Sequence, residues 1–365
     1  MLSLCPQIKN HPNQGHIRYS IDGMEGIKEP QVSNWISRNV ADFRAPYDFQ
    51  LIAGGRSNLT FQVTDADGKR VILRRPPISH VLPTAHDMTR EHRILTGLDK
   101  VVFPSPKPIA LCLDSEVNDY PFYIMEKVEG HILKEEKYVD STFPEASDRR
   151  RMSENLVETL VNLHSFNPDE IGLGDLGRKD GYIERQLKRW FNQYQASGSE
   201  INHSVPLLEE MHQRLVGAVP EQTKSAIVHG DYRLDNTLIS NDGQVAAVLD
   251  WEICTLGDPL ADIGLLLVYW TEKTDQHPPL ASVTQMDGFA TRSEIAEMYS
   301  SKTGVDLSLI NYYVSFGYWK LACILEGVYS RYVQGARGGD RSEVGDYAKQ
   351  VQLLAEASSE AFERF

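Results

Sequence analysis

The sequence predicts an α+β chain in two parts, a small antiparallel sheet followed by a larger, mainly helical portion. Three observations carry that prediction. Short β-type runs separated by turn residues crowd the first third of the chain. Helical stripes dominate from residue 128 onward. A length of 365 residues also exceeds what one hydrophobic core usually organises. The expected division is a loose N-terminal arm over residues 1–30, a sheet-bearing part over 31–127 and a helical part over 128–365.

The arm holds Pro6, Pro12, Gly15, Gly23 and Gly26 without apolar periodicity. Val32, Trp35, Ile36 and Val40 then share one helical face, predicting a scaffold helix over 31–40. Two β-type runs within residues 49–61 flank Gly54-Gly55-Arg56-Ser57-Asn58. The glycines let backbone approach a phosphate closely and Ser57 and Asn58 add donors, so a nucleotide-covering loop and a plain hairpin both fit. After the polar turn at 65–69, the strand Val71-Ile72-Leu73-Arg74-Arg75 puts its arginines on opposite faces, because side chains alternate. Pro76, Pro77 and Pro83 impose an extended crossing, and Met88, Ile94, Leu95 and Leu98 mark a helix over 85–98. Residues 109–113 and 122–126 read as an antiparallel pair joined by a polar turn at 114–119.

Beyond the sheet the period becomes helical. Met152, Leu156, Leu160, Val161 and Leu163 set a helix over 147–164, with His164 as a packing residue. Further helices are expected over 182–194, 207–219, 291–303, 307–329 and 344–362. The apolar run 263–270 is too short to span a bilayer and reads as a core helix.

One polar stretch interrupts these helices. Ile227-Val228 leads into His229-Gly230-Asp231, Asn236 follows five residues after Asp231, and a second β-type run ends on Asp250-Trp251-Glu252. Phosphoryl transfer from a nucleotide asks for a carboxylate to take the acceptor's proton, metal ions to neutralise phosphates, and fixed positions for both. Asp231, Asn236 and Asp250 are residues of those types at the spacing of a kinase catalytic loop and its following metal-binding Asp. His-Gly-Asp with Asn five residues on should arise by chance at a frequency on the order of 10⁻³ per chain of this length. Mg²⁺, a hard cation that prefers oxygen, suits a carboxamide and a carboxylate completed by phosphate and water. His229 is expected to brace the loop through a backbone bond, Asp258 to cap a helix near Pro259, and Asp262 to bond back to the loop. Glu252 fits either a metal or water contact or a plain strand terminator.

His229-Gly230-Asp231, Asn236 and Asp250-Trp251-Glu252 together resemble the aminoglycoside phosphotransferase family, a branch of the protein-kinase-like fold. Gly54 to Asn58, Val71 to Arg75, Gly172-Leu173-Gly174-Asp175-Leu176-Gly177 and Arg185-Gln186-Leu187-Lys188-Arg189-Trp190 extend the likeness. They point toward the branch resembling the kinase-like domain of acyl-CoA dehydrogenase family members 10 and 11. The resemblance implies a bilobal fold with a small antiparallel-sheet N-lobe and a larger, mainly helical C-lobe. It implies that Gly54, Gly55, Ser57 and Asn58 cover a nucleotide, ATP or GTP, and that Arg74 takes the place of the phosphate-binding Lys and pairs with Glu91. It also implies that the backbone at Glu126 and Val128 meets the purine edge. Asp231 becomes the base, with His229 and Arg233 completing the catalytic set, and Asn236 and Asp250 become the Mg²⁺ ligands. Asp258 follows Asp250 by only eight residues, too few for the long segment with which a protein kinase docks a peptide, which implies a small-molecule acceptor. Glu326, Arg331 and Tyr332, in the aromatic helix over 307–329 and just beyond it, are the expected polar contributors to its pocket.

Composition narrows the classes. With 51 acidic against 37 basic residues the net charge is −14, which argues against a nucleic-acid-binding surface. Cysteines at 5, 112, 254 and 323 show neither C-x-x-C pairing nor zinc spacing and read as buried thiols in a reducing compartment. Lacking an apolar run of about 18 residues and a charged-then-apolar leader, the chain is expected to be soluble and cytoplasmic, without a membrane partner. Its oligomeric state is left open. Two functions stay in play: a kinase acting on a hydroxyl, of a hydroxyacyl-CoA-like metabolite or of an aminoglycoside, and a nucleotide-binding scaffold with little or no transfer. Arg74 in the Lys place keeps the second alive.

Overall fold

The computed structural model describes residues 26–53, 58–77, 87–275, 278–334 and 344–365. The chain divides into two compact units, Met1–Glu129 and Gly130–Phe365.

In the first unit helix α1 (Glu29–Asn39) begins inside the stretch expected as arm. The physical reason is Pro30, which fits the first helical turn because its missing N–H would have no partner there anyway. Strands β1 (Asp48–Ala53), β2 (Leu59–Thr64) and β3 (Arg70–Arg75) follow, then helix α2 (Met88–Leu98), then β4 (Pro108–Cys112) and β5 (Phe122–Glu126). The five strands form one antiparallel sheet in the order β1-β2-β3-β5-β4. Phe61, Leu73, Phe122 and Ile124 project from it into a core shared with Val32 and Ile36 of α1, all at 0 % exposure. Burying each such side chain stabilises by about 1.5–3 kcal/mol. Helix α2 packs on β4 and β5, and its N-terminus is capped by the Asp87 carboxylate accepting from Arg90 N–H.

The second unit runs α3 (Glu136–Thr142), α4 (Ala146–Ser165), α5 (Tyr182–Ile201), α6 (Pro206–Gly217), β6 (Ala226–Val228), β7 (Thr237–Ile239), β8 (Val245–Val248), β9 (Thr255–Gly257), α7 (Leu260–Tyr269), α8 (Arg292–Thr303), α9 (Ile310–Val333) and α10 (Val344–Glu363). Helix α9 packs on α5, α6, α7 and α10. It is buried around most of its circumference, which explains why its sequence lacks a polar face. A Cβ at Gly264 of α7 would lie 2.8 Å from the Tyr313 backbone of α9, so glycine is what lets these helices meet. The short strands form two antiparallel pairs, β6 with β9 and, nested between them in sequence, the hairpin β7 with β8. The two β-type runs framing the polar stretch therefore belong to different ladders. Among the described residues no helix is long and apolar enough to cross a membrane. Cys112, Cys254 and Cys323 are buried free thiols, and Cys5 lies outside the described residues.

Candidate active site

In the second unit the loop from β6 to β7 is fixed at both ends. All three β6 residues are buried. Gly230 then takes φ +84°, a conformation that strains any other residue, and a Cβ there would also crowd Ile253 at 3.1 Å from Cδ1. The sharp turn delivers Asp231, and a single 3₁₀ turn over Leu234–Asn236 delivers Asn236. Asn236 Nδ2 donates to both the Asp231 carbonyl (2.9 Å) and Asp231 Oδ2 (2.8 Å). Asp250 comes to the same place through its neighbour. Leu249 N donates to Asn236 O at 2.8 Å, and His229 Nε2 donates to Leu249 O at 2.9 Å. Asp250 itself, half-buried, holds a left-handed backbone at φ +65°, a conformation Asp tolerates better than most residues and one that clusters at functional sites.

Asp231 is only 3 % exposed. Burial raises its pKa above the ordinary carboxylate value and the Asp250 charge adds to that, while Arg233 and Lys320 oppose it. Asp231 Oδ1 has no hydrogen-bond partner among the described residues, whereas Oδ2 is held by Asn236. Arg233, 4 % exposed, lies 3.7 Å from Asp231 Oδ2 and 3.5 Å from Asp235 Oδ2, with its guanidinium 4.6 Å from the Tyr269 ring centroid. Burial works against the Arg233 charge, but Asp231, Tyr269, Asp235 and Asp250 together hold its pKa above the usual value.

The loop is clamped from beneath. Asp262 of α7, at 0 % exposure, accepts His229 N–H at 2.7 Å through Oδ2 and Gly230 N–H at 2.8 Å through Oδ1. His164 of α4 bridges Asp262 Oδ2 (3.3 Å) and the Tyr299 hydroxyl (2.8 Å), the packing role read for it. His229 receives Asp231 N–H on Nδ1 at 3.2 Å, so it is a neutral brace whose other nitrogen carries the proton. Asp258 accepts Leu260 N–H at 3.0 Å and thereby caps α7, as expected. Glu252 stands in the turn after Trp251. Between Asp250 and α7 lie only that turn and β9, so no peptide-docking segment is present.

In the first unit Arg74 Nε lies 2.9 Å from Glu91 Oε2. The same carboxylate accepts Asn58 Nδ2 at 2.7 Å and the Tyr123 hydroxyl at 3.0 Å. Arg75 points the other way, 2 % exposed, donating to Pro76 O and Gly26 O. Neither arginine is a solvated edge charge. Gly54, Gly55 and Ser57 lie outside the described residues. Glu126 N donates to Lys107 O at 2.8 Å, and Val128 is half-buried.

One expectation needs correction and two residues were missed. Glu326 is not a pocket wall: it is at 0 % exposure with Oε1 2.7 Å from His203 Nδ1, because α9 turns that face toward the α5–α6 connection. Tyr332 is half-buried, its ring tilted at 34° to that of Tyr347 of α10 with centroids 5.0 Å apart. Lys320 of α9 donates from Nζ to Gly230 O at 2.8 Å, and its one sequence signal is a cation in the middle of an apolar, aromatic helix. Tyr269 closes α7 with its hydroxyl buried toward the Asp231 carboxylate, and nothing in the sequence marks it. Together with Arg233, Asp235, Trp270, Ser282 and Thr284 it lines a small pocket.

This arrangement of sheet, helices and catalytic-type loop is a protein-kinase-like fold. A choline kinase from Cryptosporidium parvum superposes with a TM-score of 0.63 at 15 % identity, covering 90 % of this chain and 95 % of that one. A crystal structure from Ralstonia eutropha, described only provisionally as an aminoglycoside phosphotransferase, gives a TM-score of 0.75 at 28 % identity, covering 91 % and 97 %. The chain belongs to the phosphotransferase enzyme family (APH), whose model matches residues 48–297. Among its relatives, acyl-CoA dehydrogenase family member 11 from Pongo abelii is 34 % identical over 92 % of this chain and 43 % of its own length. Family member 10 from Mus musculus is 34 % identical over 85 % of this chain and 29 % of its own length. The chain thus spans less than half the length of these curated relatives.

Proposed function

We propose that this protein is a small-molecule kinase that moves the γ-phosphate of ATP or GTP to a hydroxyl group. The observation that carries the reading is the bracing of Asn236 and the Asp250 turn against Asp231, whose Oδ1 is left without a partner among the described residues. In this reading the acceptor hydroxyl donates to Asp231 Oδ1, its oxygen attacks the γ-phosphorus in line, the bond to the β-phosphate oxygen breaks, and the nucleoside diphosphate leaves. Asn236 and Asp250 would hold Mg²⁺, which neutralises phosphate charge when bound. The donor set fits it: Asn236 has its amide nitrogen committed to Asp231, which leaves its carboxamide oxygen to bind, and Asp250, next in the chain to the Leu249 that bonds Asn236 O, adds a carboxylate, both hard ligands. Arg233 faces the transferred phosphate and His229 holds the loop. In the sheet unit Asn58, Arg74 and Glu91, with the backbone of Glu126 and Val128 and with Gly54, Gly55 and Ser57, are assigned to the nucleotide.

The acceptor is proposed to be a hydroxylated acyl metabolite of hydroxyacyl-CoA type. Its support is the 34 % identity to acyl-CoA dehydrogenase family members, whereas the aminoglycoside 3'-phosphotransferase of type VIII and APH(2'')-Ib, at 13 % and 16 % identity, share only the fold. A mass-spectrometric screen of hydroxylated metabolites and aminoglycosides with ATP, GTP and Mg²⁺, run beside Asp231→Ala, tests both levels. Failure of every acceptor would favour the nucleotide-binding scaffold.

Two further outcomes are expected. Tyr269→Phe should raise the KM for the acceptor about tenfold with a smaller change in kcat, since the buried hydroxyl lies toward the Asp231 carboxylate and lines the pocket beside it, where the acceptor hydroxyl is proposed to dock. An unchanged KM would remove Tyr269 from the acceptor site. Glu91→Ala should destabilise the sheet unit by about 3 kcal/mol, because one buried carboxylate is the acceptor for Asn58 and Tyr123 and the counter-ion of Arg74. Denaturant unfolding reads this directly, and a loss under about 1 kcal/mol would show the cluster to be dispensable.

A further inference from the structure

We propose that Lys320 is a positioning residue for phosphoryl transfer, its ammonium fixing the Gly230 carbonyl from α9 and thereby the orientation of the Asp231 carboxylate. The inference rests on the kinase reading and adds a residue to it. Gly230 O belongs to the same peptide as Asp231 N, and that N–H donates to His229 Nδ1. One face of this peptide is therefore held by His229 and the other by Lys320 Nζ at 2.8 Å. The preceding peptides are held by Asp262 through His229 N and Gly230 N. Two buried charges of opposite sign, on α7 and α9, thus grip consecutive amides of a loop whose glycine sits at φ +84°. Helices α7 and α9 are themselves locked at Gly264 against Tyr313, so the two grips keep a fixed spacing.

A lysine is an expensive choice for this task. Lys320 is 3 % exposed, with Nζ 5.8 Å from the Trp190 ring centroid, and a neutral donor would satisfy a carbonyl without burying a charge. The charge has a use because the groups facing it are Asp231, Asp262 and Arg189. It offsets the carboxylate that has to remain ionised to accept a proton. Burial lowers the Lys320 pKa to about 8, with Asp231 and Asp262 pulling it back up and Arg189 adding to the fall. The grip weakens once pH rises past that value, and turnover should decline on the alkaline side.

The test is ADP formation from Mg·ATP with water as acceptor, followed across about pH 6 to 10 for the wild-type chain, K320M, K320R and D231A. K320M should lose about 10²-fold in kcat, the scale of a misplaced catalytic group, with KM for Mg·ATP within about twofold. Its residual rate should lack the alkaline decline near pH 8 that the wild type shows. K320R keeps a charge that does not titrate in this range, so it should retain most of the rate and move the decline upward. Circular dichroism checks folding, and K320R alone decides the matter where K320M does not fold. The proposal is overturned by a folded K320M at wild-type kcat, or by a K320R whose alkaline limb is unmoved. A D231A chain as active as wild type sinks the kinase reading instead, and an inactive wild type sinks both.

Discussion

Asp231→Ala is expected to lower kcat about 10³-fold while leaving the affinity for Mg·ADP within about threefold. The asymmetry follows from how the two carboxylate oxygens are used. Oδ2 is tied to Asn236 Nδ2 at 2.8 Å and faces Arg233 at 3.7 Å, whereas Oδ1 has no protein partner among the described residues. The first oxygen builds the loop and the second is available to chemistry. Asp231→Asn separates these roles further. It keeps the volume and the chance of an amide contact with Asn236 but cannot accept a proton, so it should lose nearly as much rate as alanine with less structural disturbance. Product formation followed by mass spectrometry gives the rate, and titration calorimetry with Mg·ADP gives the affinity. A rate within about threefold of wild type in either variant would show that the base lies elsewhere.

Much of this site is written in local spacing. Asp231, Asn236 and Asp250 could be read because a 3₁₀ turn and one short hairpin connect them, so sequence distance stands in for spatial distance. Glu91 was legible for a related reason: β3 and α2 are consecutive elements, and an acidic residue in the first turn of the helix is within reach of a strand arginine. Lys320 and Tyr269 were not, because each reaches the loop from a helix well beyond it in sequence, and no periodicity records which helix passes under which loop. Glu326 shows the converse. Six residues after Lys320 on the same helix, it was assigned to a pocket from its charge alone, but the helix carries that position round to His203. Helix α3 was missed because seven residues are too few to display a period.

Asp262→Ala is expected to cost about 3–5 kcal/mol, a large part of the 5–15 kcal/mol that holds a typical domain together. Its carboxylate, at 0 % exposure, is the acceptor for His229 N–H and Gly230 N–H, and removing it strands two buried amides at roughly 1–3 kcal/mol each. It also leaves the Lys320 ammonium without one of its two facing carboxylates. Asp262→Asn should fall between, since a carboxamide oxygen can accept from one amide while its nitrogen opposes the other. The pH dependence separates charge from shape. Burial pushes the Asp262 pKa up, but the hydrogen bonds from His164 and the Gly230 N–H outweigh it and hold the carboxyl below the ordinary carboxylate range. Stabilisation from this group is therefore complete above the unfolded value and disappears as pH falls through the lower folded one. Wild type should lose stability on acidification below about pH 4 more steeply than Asp262→Asn, which has no proton to gain at this position. Parallel acid-unfolding curves for the two chains would mean that the clamp works through shape alone, and that the ionised carboxylate is not what holds the catalytic loop.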